Sequence, residues 1–509
     1  MVDYDASTRR LGSPALLPSG DFDDPDDATI LGDPHFHAQN VYAIAARTLG
    51  AFETALGRRV PWSFPGHTLY LVPHALAEAN AFYSDDDEAV LFGYFPSSES
   101  GDVYTCLSHD IVAHETTHGV LDGLRHRYEE PGLPDQPAFH EAFADIVALL
   151  SVFSARATVE HLLGQPDAQG RIPAETVVPG ALEHNALLSL AEQMGREVHA
   201  DRGNALRRSI QIPATNTWRS DPAFGEPHRR GEILVAAVMQ TFLRMWEDRL
   251  QALIHGGGLD RARAAEEGAK SADHLLGMVI RSIDYLPPVE FEFEDFLDAI
   301  LVSDRELAPE DAHDYRDALR ASFEAFGISQ PAGRTVDLSS EPTRPSYRNL
   351  HFGALRTDPD EVFRFIWDNA GLLGIDTTYY TSVEAVRPAV RVGPDGFVVS
   401  ESVADYVQIL KGTASELAGM GLQIPLNLPG STPLKLFGSG TLVFDEFGGA
   451  KFHERKPLFD WDRQSRRLAY LVESGLSDAH ARYGFSFSTR LGQRFAEFHR
   501  PDARAAEDW

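Results

Sequence analysis

The chain has 509 residues, of which 43% are hydrophobic and 24% are charged, and its formal net charge is −31. This length accommodates two or three domains with hydrophobic cores of their own. The strong negative charge argues against nucleic acid or an anionic membrane as a partner, because both carry negative charge themselves.

The N-terminal segment is acidic and polar, so it does not have the pattern of a secretory signal. No apolar stretch in the sequence is long enough to span a bilayer. The single cysteine, Cys106, fits a reducing compartment and is expected to be a small core residue rather than a fourth ligand of a metal site. We therefore expect a cytoplasmic protein, with export by a route that lacks a classical signal left open.

A helix, several strands and a second helix are expected between residues 35 and 126, and the second helix has the segment His-Glu-Thr-Thr-His at 114–118. Residues four apart lie on one face of a helix, so His114 and His118 can bind one metal ion. Glu115 lies beside them, where it can act on a metal-bound water. A chance match on a solvated helix is the alternative, but apolar residues at helical spacing predict that this face is buried.

A second apolar helix follows at 140–150, and it carries Glu141 and Asp145 four residues apart. Buried carboxylates cost free energy unless they bind a metal or pair with a charge. Glu141 is therefore the expected third metal ligand, and Asp145 is the expected acceptor that orients a ligand histidine. The alternative is a pair of carboxylates that flank a core helix without binding a metal.

These motifs resemble those of the thermolysin family of zinc metallopeptidases, the gluzincins, which combine a His-Glu-x-x-His helix with a Glu-x-x-x-Asp helix. Further short segments extend the resemblance over roughly residues 30 to 330; they lie at 33–37, 80–83, 91–94, 206–209, 220–223, 227–228 and 322–328. The resemblance implies an α+β fold with a mixed N-terminal lobe and a helical C-terminal lobe. It also implies one Zn²⁺ per chain.

The activity that the resemblance implies is hydrolysis of peptide bonds by a metal-activated water, with Glu115 as the general base and a peptide or protein as substrate. It assigns His228 and Tyr128 to the stabilisation of the oxyanion. Asn80 and Ala81 match the edge-strand residues that pair with the substrate backbone.

Three further positions match the family's substrate contacts. Arg207 matches a residue that binds a substrate carbonyl, and Ile111 and Leu206 match the lining of an apolar specificity pocket. Cleavage before apolar residues is therefore expected.

The chain also departs from the family pattern. The family's aspartate five residues before the histidine is an alanine here, so Asp221 or Glu226 would have to orient His228. Asp110 matches a calcium-binding position, but Val152 replaces its carboxylate partner, so a thermolysin-like double calcium site is doubtful.

The sequence is divided into an N-terminal lobe with the zinc helix, a helical lobe and a small α+β domain of unknown role, at residues 1–137, 138–333 and 345–509. A polar, proline-containing stretch at 334–347 is interpreted as a linker. Helices are predicted at 233–254, 272–285, 291–302, 315–327 and 362–373. Strands are predicted at 383–392 and 396–409, with a hairpin at 441–454.

Two other hypotheses stay open at this point. The protein could keep the fold without turnover and act by binding peptides or proteins. Alternatively, the C-terminal domain could restrain an active protease by covering its cleft or recruiting a partner. The sequence determines neither the oligomeric state nor the physiological substrate.

Overall fold

A computed structural model of the protein contains both helices and several sheets, which confirms the predicted α+β class. It describes residues 1–12, 30–97, 101–130, 132–177, 209, 212–251, 253–254, 258–331, 335–339 and 344–474.

The N-terminal part combines one long helix with a small sheet. Its elements are β1 (Tyr4–Asp5), β2 (Arg10–Leu11), α1 (Pro34–Leu56), β3 (Tyr70–Leu76), β4 (Ala81–Ser84), β5 (Ala89–Ser97) and β6 (Gly101–Tyr104). Helix α1 begins after Asp33, whose carboxylate accepts a hydrogen bond from the backbone N–H of His35, as expected of an N-terminal cap. In the sheet β5 is central: β3 pairs with it in parallel, and β4 and β6 pair with it antiparallel, so β4 is an edge strand.

The two motif helices form as predicted, and α4 follows them directly: α2 (His109–Leu124), α3 (Asp135–Phe153) and α4 (Arg156–Leu162). Helix α2 contacts α1, β4 and α3, so nearly every residue from 111 to 124 is buried, including both motif histidines. Among the described residues, no single helix is long and apolar enough to cross a bilayer, and α3 with α4 meets the length only across an 82° bend.

The helical part follows the predicted order. Its elements are β7 (Arg171–Pro173), α5 (Pro227–Gln251), β8 (Gly258–Asp260), α6 (Arg261–Ser282), α7 (Phe293–Leu307) and α8 (Tyr315–Ala325). Both α5 and α6 begin well before the predicted starts at 233 and 272. The N-terminal parts of both helices are rich in charged residues, so they show no clear apolar periodicity although several of their residues are buried.

The C-terminal part is a five-stranded antiparallel sheet with short helices. Its elements are β9 (Thr335–Asp337), α9 (Pro359–Asp368), α10 (Ala370–Leu373), β10 (Tyr380–Val392), β11 (Val398–Thr413), α11 (Ala414–Met420), β12 (Pro433–Phe444), β13 (Ala450–Lys456) and α12 (Trp461–Glu473). The strand order is β10-β11-β12-β13-β9, and both predicted hairpins are present.

The stretch interpreted as a linker contributes to this sheet. Strand β9 pairs with β13, and Leu338, directly after β9, is buried in the C-terminal core. The prediction of a plain linker at 334–347 was therefore wrong over the β9 segment. Three residues are too short to show a period-2 pattern, so the strand had no sequence signal of its own.

Buried ion pairs join the C-terminal sheet to the rest of the protein. Arg391 of β10 pairs with Asp284, and Arg125, directly after α2, pairs with Asp405 of β11. All four side chains are at most 3% exposed. Because buried charges require partners, the C-terminal part is packed as an integral element of the fold.

Candidate metal centre

Helices α2 and α3 bring three potential metal ligands together. The Nε2 atoms of His114 and His118 lie 2.9 Å apart, and Oε2 of Glu141 lies 3.6 Å from the first and 3.8 Å from the second. All three residues are buried. Two nitrogens that each lie about 2.0–2.1 Å from one zinc ion can have this separation. The three residues can therefore hold a metal ion, as the spacing of the two motifs predicts.

Hydrogen bonds on the far side of each ring orient the two histidines. Nδ1 of His114 lies 2.8 Å from a carboxylate oxygen of Asp145, which can only accept, so this nitrogen carries the ring proton. Nδ1 of His118 lies 2.9 Å from Nδ1 of His140. In the neutral form of the ring, Nε2 of His114 then carries the lone pair that faces the ligand cluster. Asp145 thus has the contact expected of a residue that orients a ligand histidine.

The electrostatic field at this position favours positive charge. Burial alone would lower the pKa of His114, but the nearby carboxylates of Asp145 and Glu141 raise it to about 10. The pKa of His228 is also raised, since Glu141 and Glu226 outweigh the effect of burial. A field that stabilises an imidazolium also stabilises a metal cation at the same place.

Glu115 contacts the edge strand β4. Its Oε2 accepts a hydrogen bond of 3.2 Å from the backbone N–H of Tyr83 in β4. Because strand residues alternate, the backbone groups of Ala81 point to the same open edge as those of Tyr83. Asn80 and Ala81 are buried, and the side-chain oxygen of Asn80 accepts from the N–H of Ala81. The predicted substrate-binding edge and the predicted general base are therefore adjacent.

His228 approaches the cluster from the first turn of α5. Its Nε2 lies 3.5 Å from Oε2 of Glu141, and its Nδ1 lies 2.7 Å from Oε1 of Glu226. Of the two acids that could orient His228, the structure selects Glu226. The carboxylate of Asp221 instead accepts from the backbone N–H of Ala223 and caps a short 3₁₀ helix.

Tyr128 lies in the hydrophobic core and not at the ligand cluster. It is 2% exposed, its ring packs on Phe139 and Phe291, and its hydroxyl donates to the carbonyl of Pro287. The hydroxyl is thereby engaged away from any oxyanion, so this structure does not support the predicted role. Burial of an aromatic ring among apolar neighbours stabilises the fold more than its exposure in a cleft would.

The remaining predicted residues have mixed outcomes. Ile111 is buried in the N-terminal hydrophobic cluster rather than exposed in a pocket. Leu206 and Arg207 lie outside the described residues, so their substrate contacts stay predictions. Asp110 accepts a hydrogen bond from the hydroxyl of Ser108 at the start of α2.

His140 is a contributor that the sequence analysis did not assign to the site. Its ring stacks on His118 with centroids 4.9 Å apart and an interplanar angle of 16°. Burial lowers the pKa of His140 to about 4, so the ring is neutral and its Nδ1 can accept a hydrogen bond from Nδ1 of His118. Its position next to Glu141 was the available signal.

A scan against models of known protein families finds no match, and a search of curated proteins finds no relative. The family resemblance therefore rests on the motifs and stays a prediction.

Proposed function

We propose that this protein is a zinc-dependent endopeptidase related to the thermolysin family. The observation that carries the proposal is the convergence of His114, His118 and Glu141 on one buried point, with Glu115 beside it at the edge of a sheet. Two imidazoles and one carboxylate are the ligands of many catalytic zinc sites, which keep a fourth position open for water or substrate.

The residues present fit such an ion. The donor set is complete, and the tautomer of His114 is set by Asp145. A zinc ion held there supplies Lewis-acid chemistry for the hydrolysis of an amide.

Glu115 is the proposed general base. It is a buried carboxylate held against the N–H of Tyr83, so its position relative to a peptide on strand β4 is set by backbone contact. Glu115 takes a proton from the attacking water and later delivers it to the leaving amine.

His228 is the proposed donor to the oxyanion. It is the most exposed of the three histidines around Glu141, with a side chain 34% exposed, so it can face a bound substrate. Glu226 holds its Nδ1, and the raised pKa favours the protonated ring, which donates through Nε2. Such a donor stabilises negative charge that develops in the transition state.

A peptide in extended conformation is the proposed substrate, bound antiparallel to the open edge of β4 near Asn80 and Ala81. Cleavage before a medium or large apolar residue is part of the proposal, and a digest of a peptide library tests it. Equal cleavage before polar and apolar residues would remove that part.

The test combines metal content with hydrolysis of casein or a quenched fluorescent peptide. Glu115→Gln keeps the shape and an acceptor for the Tyr83 N–H but removes the base, so activity should fall by about 10²–10⁴-fold with zinc retained. Glu266→Gln, at an acid of α6 that is 34% exposed and pairs with Lys270, is the matched control and should keep wild-type activity. Wild-type protein that binds zinc but hydrolyses no substrate would favour a peptide-binding role instead. Wild-type protein that binds no zinc would refute the proposal.

The buried ion pairs determine how an inhibitory role of the C-terminal part has to be tested. Deletion of residues beyond 335 would leave Asp284 and Arg125 without Arg391 and Asp405. Loss of activity after such a deletion would therefore report unfolding. An inhibitory role is better tested in the full-length chain, with substitutions of exposed residues in the C-terminal part.

A further inference from the structure

We propose that His37, His74 and Cys106 form a second metal site, which takes zinc or another metal that prefers imidazole and thiolate ligands. The three side chains offer ligand atoms that all lie within 4.8 Å of one another. None of them belongs to the cluster around His114, and the proposal does not depend on peptidase activity.

Three separate elements supply these ligands. His37 lies in the first turn of α1, His74 lies in β3, and Cys106 lies in the short 3₁₀ helix Thr105–Leu107 just before α2. His37 and Cys106 are 1% and 0% exposed, and the side chain of His74 is 15% exposed. The positions are 37 and 32 residues apart in the sequence, so only the tertiary fold brings them together.

The hydrogen bonds of the two rings determine which nitrogens carry protons. Nε2 of His37 lies 2.8 Å from the carbonyl oxygen of Leu31, and Nδ1 of His74 lies 2.8 Å from a carboxylate oxygen of Asp3. Both oxygens are acceptors here, so each ring donates through that nitrogen. The other two nitrogens, Nδ1 of His37 and Nε2 of His74, face each other at 2.8 Å.

Two neutral imidazoles in these tautomers would direct lone pairs at each other. Such a contact is repulsive unless a cation lies between or beside the two nitrogens. A shared proton could provide it, but a proton makes no use of the thiol of Cys106, whereas a metal ion uses all three groups. Two imidazoles and one thiolate are a donor set that suits zinc.

The surroundings hold these ligands in place as the outer contacts of metal sites usually do. The ring of Tyr104 packs against both histidines, with centroid distances of 4.6 Å to His37 and 5.4 Å to His74. Asn40 donates a hydrogen bond of 2.9 Å to the carbonyl of Cys106. A cavity of about 290 Å³ is lined by Asp3 and by sequence neighbours of both histidines, namely His35, Ala38 and Pro73.

Metal binding here would join the N-terminal segment, α1, β3 and the start of α2. The thiol of Cys106 would release its proton to solvent as the ion binds. Since Cys106 is only three residues before α2, the site would also stabilise the start of the helix that carries His114 and His118.

The single cysteine makes the test specific. Metal-free full-length protein is loaded with Co²⁺, and the near-ultraviolet thiolate-to-cobalt charge-transfer band is recorded; a parallel sample is loaded with Zn²⁺ and its metal content is measured. We expect the band and about two zinc ions per chain, because only the second site contains a thiolate. Cys106→Ser should abolish the band and reduce the zinc content to about one.

Two further variants separate the sites. His114→Gln should lower zinc content but keep the band, and His37→Gln should remove the band; His67→Gln, at an exposed histidine, is the matched control and should change neither. Wild-type protein without the band and with one zinc ion would overturn the proposal in favour of a shared proton. If Cys106→Ser fails to fold, the band in wild-type protein decides alone. Absence of peptidase activity in a protein that shows the band would leave this site standing and refute only the proposed function.

Discussion

Asp284→Asn tests whether the C-terminal sheet and the helical part are one cooperative structure. The carboxylate of Asp284 is 1% exposed, lies 2.6 Å from Nη1 of Arg58 and pairs with Arg391 of β10. Burial by itself would raise its pKa, but the guanidinium groups of Arg58, Arg391 and Arg387 hold the pKa well below the usual range. The substitution keeps the size of the side chain and removes the charge.

Removing one partner of a buried, hydrogen-bonded ion pair typically costs about 3–5 kcal/mol, because the other partner stays buried without compensation. At Asp284, Arg58 and Arg391 lose a shared counter-ion and Arg387 loses a more distant one, so we expect the free energy of unfolding to fall by about 3–5 kcal/mol. The discount that solvent screening imposes on exposed pairs does not apply at 1% exposure.

The assay is urea unfolding of the full chain at pH 7, followed by circular dichroism and tryptophan fluorescence. Asp462→Asn, at a side chain 88% exposed, is the control and should change the free energy by less than about 0.5 kcal/mol. Combining Asp284→Asn with Arg391→Met gives the coupling energy of the pair. Additive effects of the two substitutions would show that the pair does not couple.

The pH dependence has a definite sign. Since the folded-state pKa of Asp284 is lowered, its stabilising contribution is fully present above the unfolded-state pKa of about 3.9 and decreases as pH falls through the lower folded-state pKa. The difference between wild type and Asp284→Asn should therefore be constant from pH 5 to pH 8 and shrink below about pH 4. A difference under about 1 kcal/mol at pH 7, or one that grows towards acid, would refute the reasoning.

Three other predictions concern the metal centre and the junction. Asp145→Asn should weaken zinc binding by about 10–100-fold in a competitive chelator titration, because the ring of His114 loses its carboxylate acceptor. Glu226→Gln should move the alkaline limb of the pH profile of kcat/KM to lower pH, since an anion that raises the pKa of His228 is removed. An unchanged limb would show that His228 is not the group whose ionisation produces it. Gly57→Ala should lower the free energy of unfolding by about 3 kcal/mol, as measured by thermal denaturation. The reason is that φ is +67° and that the new Cβ would lie 2.2 Å from a backbone oxygen of β10. A variant as stable as the wild type would contradict this.

Local sequence patterns were sufficient to predict most of the helices discussed above. The spacing of His114 and His118 on one helix, and of Glu141 and Asp145 on the next, follows from the 3.6-residue period. His114, His118 and Glu141 converge on one point, which confirms that these three residues can hold a metal ion. The turn signals also placed both hairpins of the C-terminal sheet, since a turn is encoded by a few adjacent residues.

Contacts between residues that are distant in the sequence could not be predicted from local patterns. The choice of Glu226 over Asp221 depends on which carboxylate lies next to the ring of His228 in the folded chain. The burial of Tyr128 depends on phenylalanines from two other segments.

The sequence by itself therefore determined the α+β class, the two motif helices and the three residues of the candidate metal centre, because each follows from spacing within one element or between neighbours. Only the tertiary structure decided the pairing of β9 with β13 and the meeting of His37, His74 and Cys106. The physical reason is that periodicity records which side of an element is buried, but not which distant element covers it.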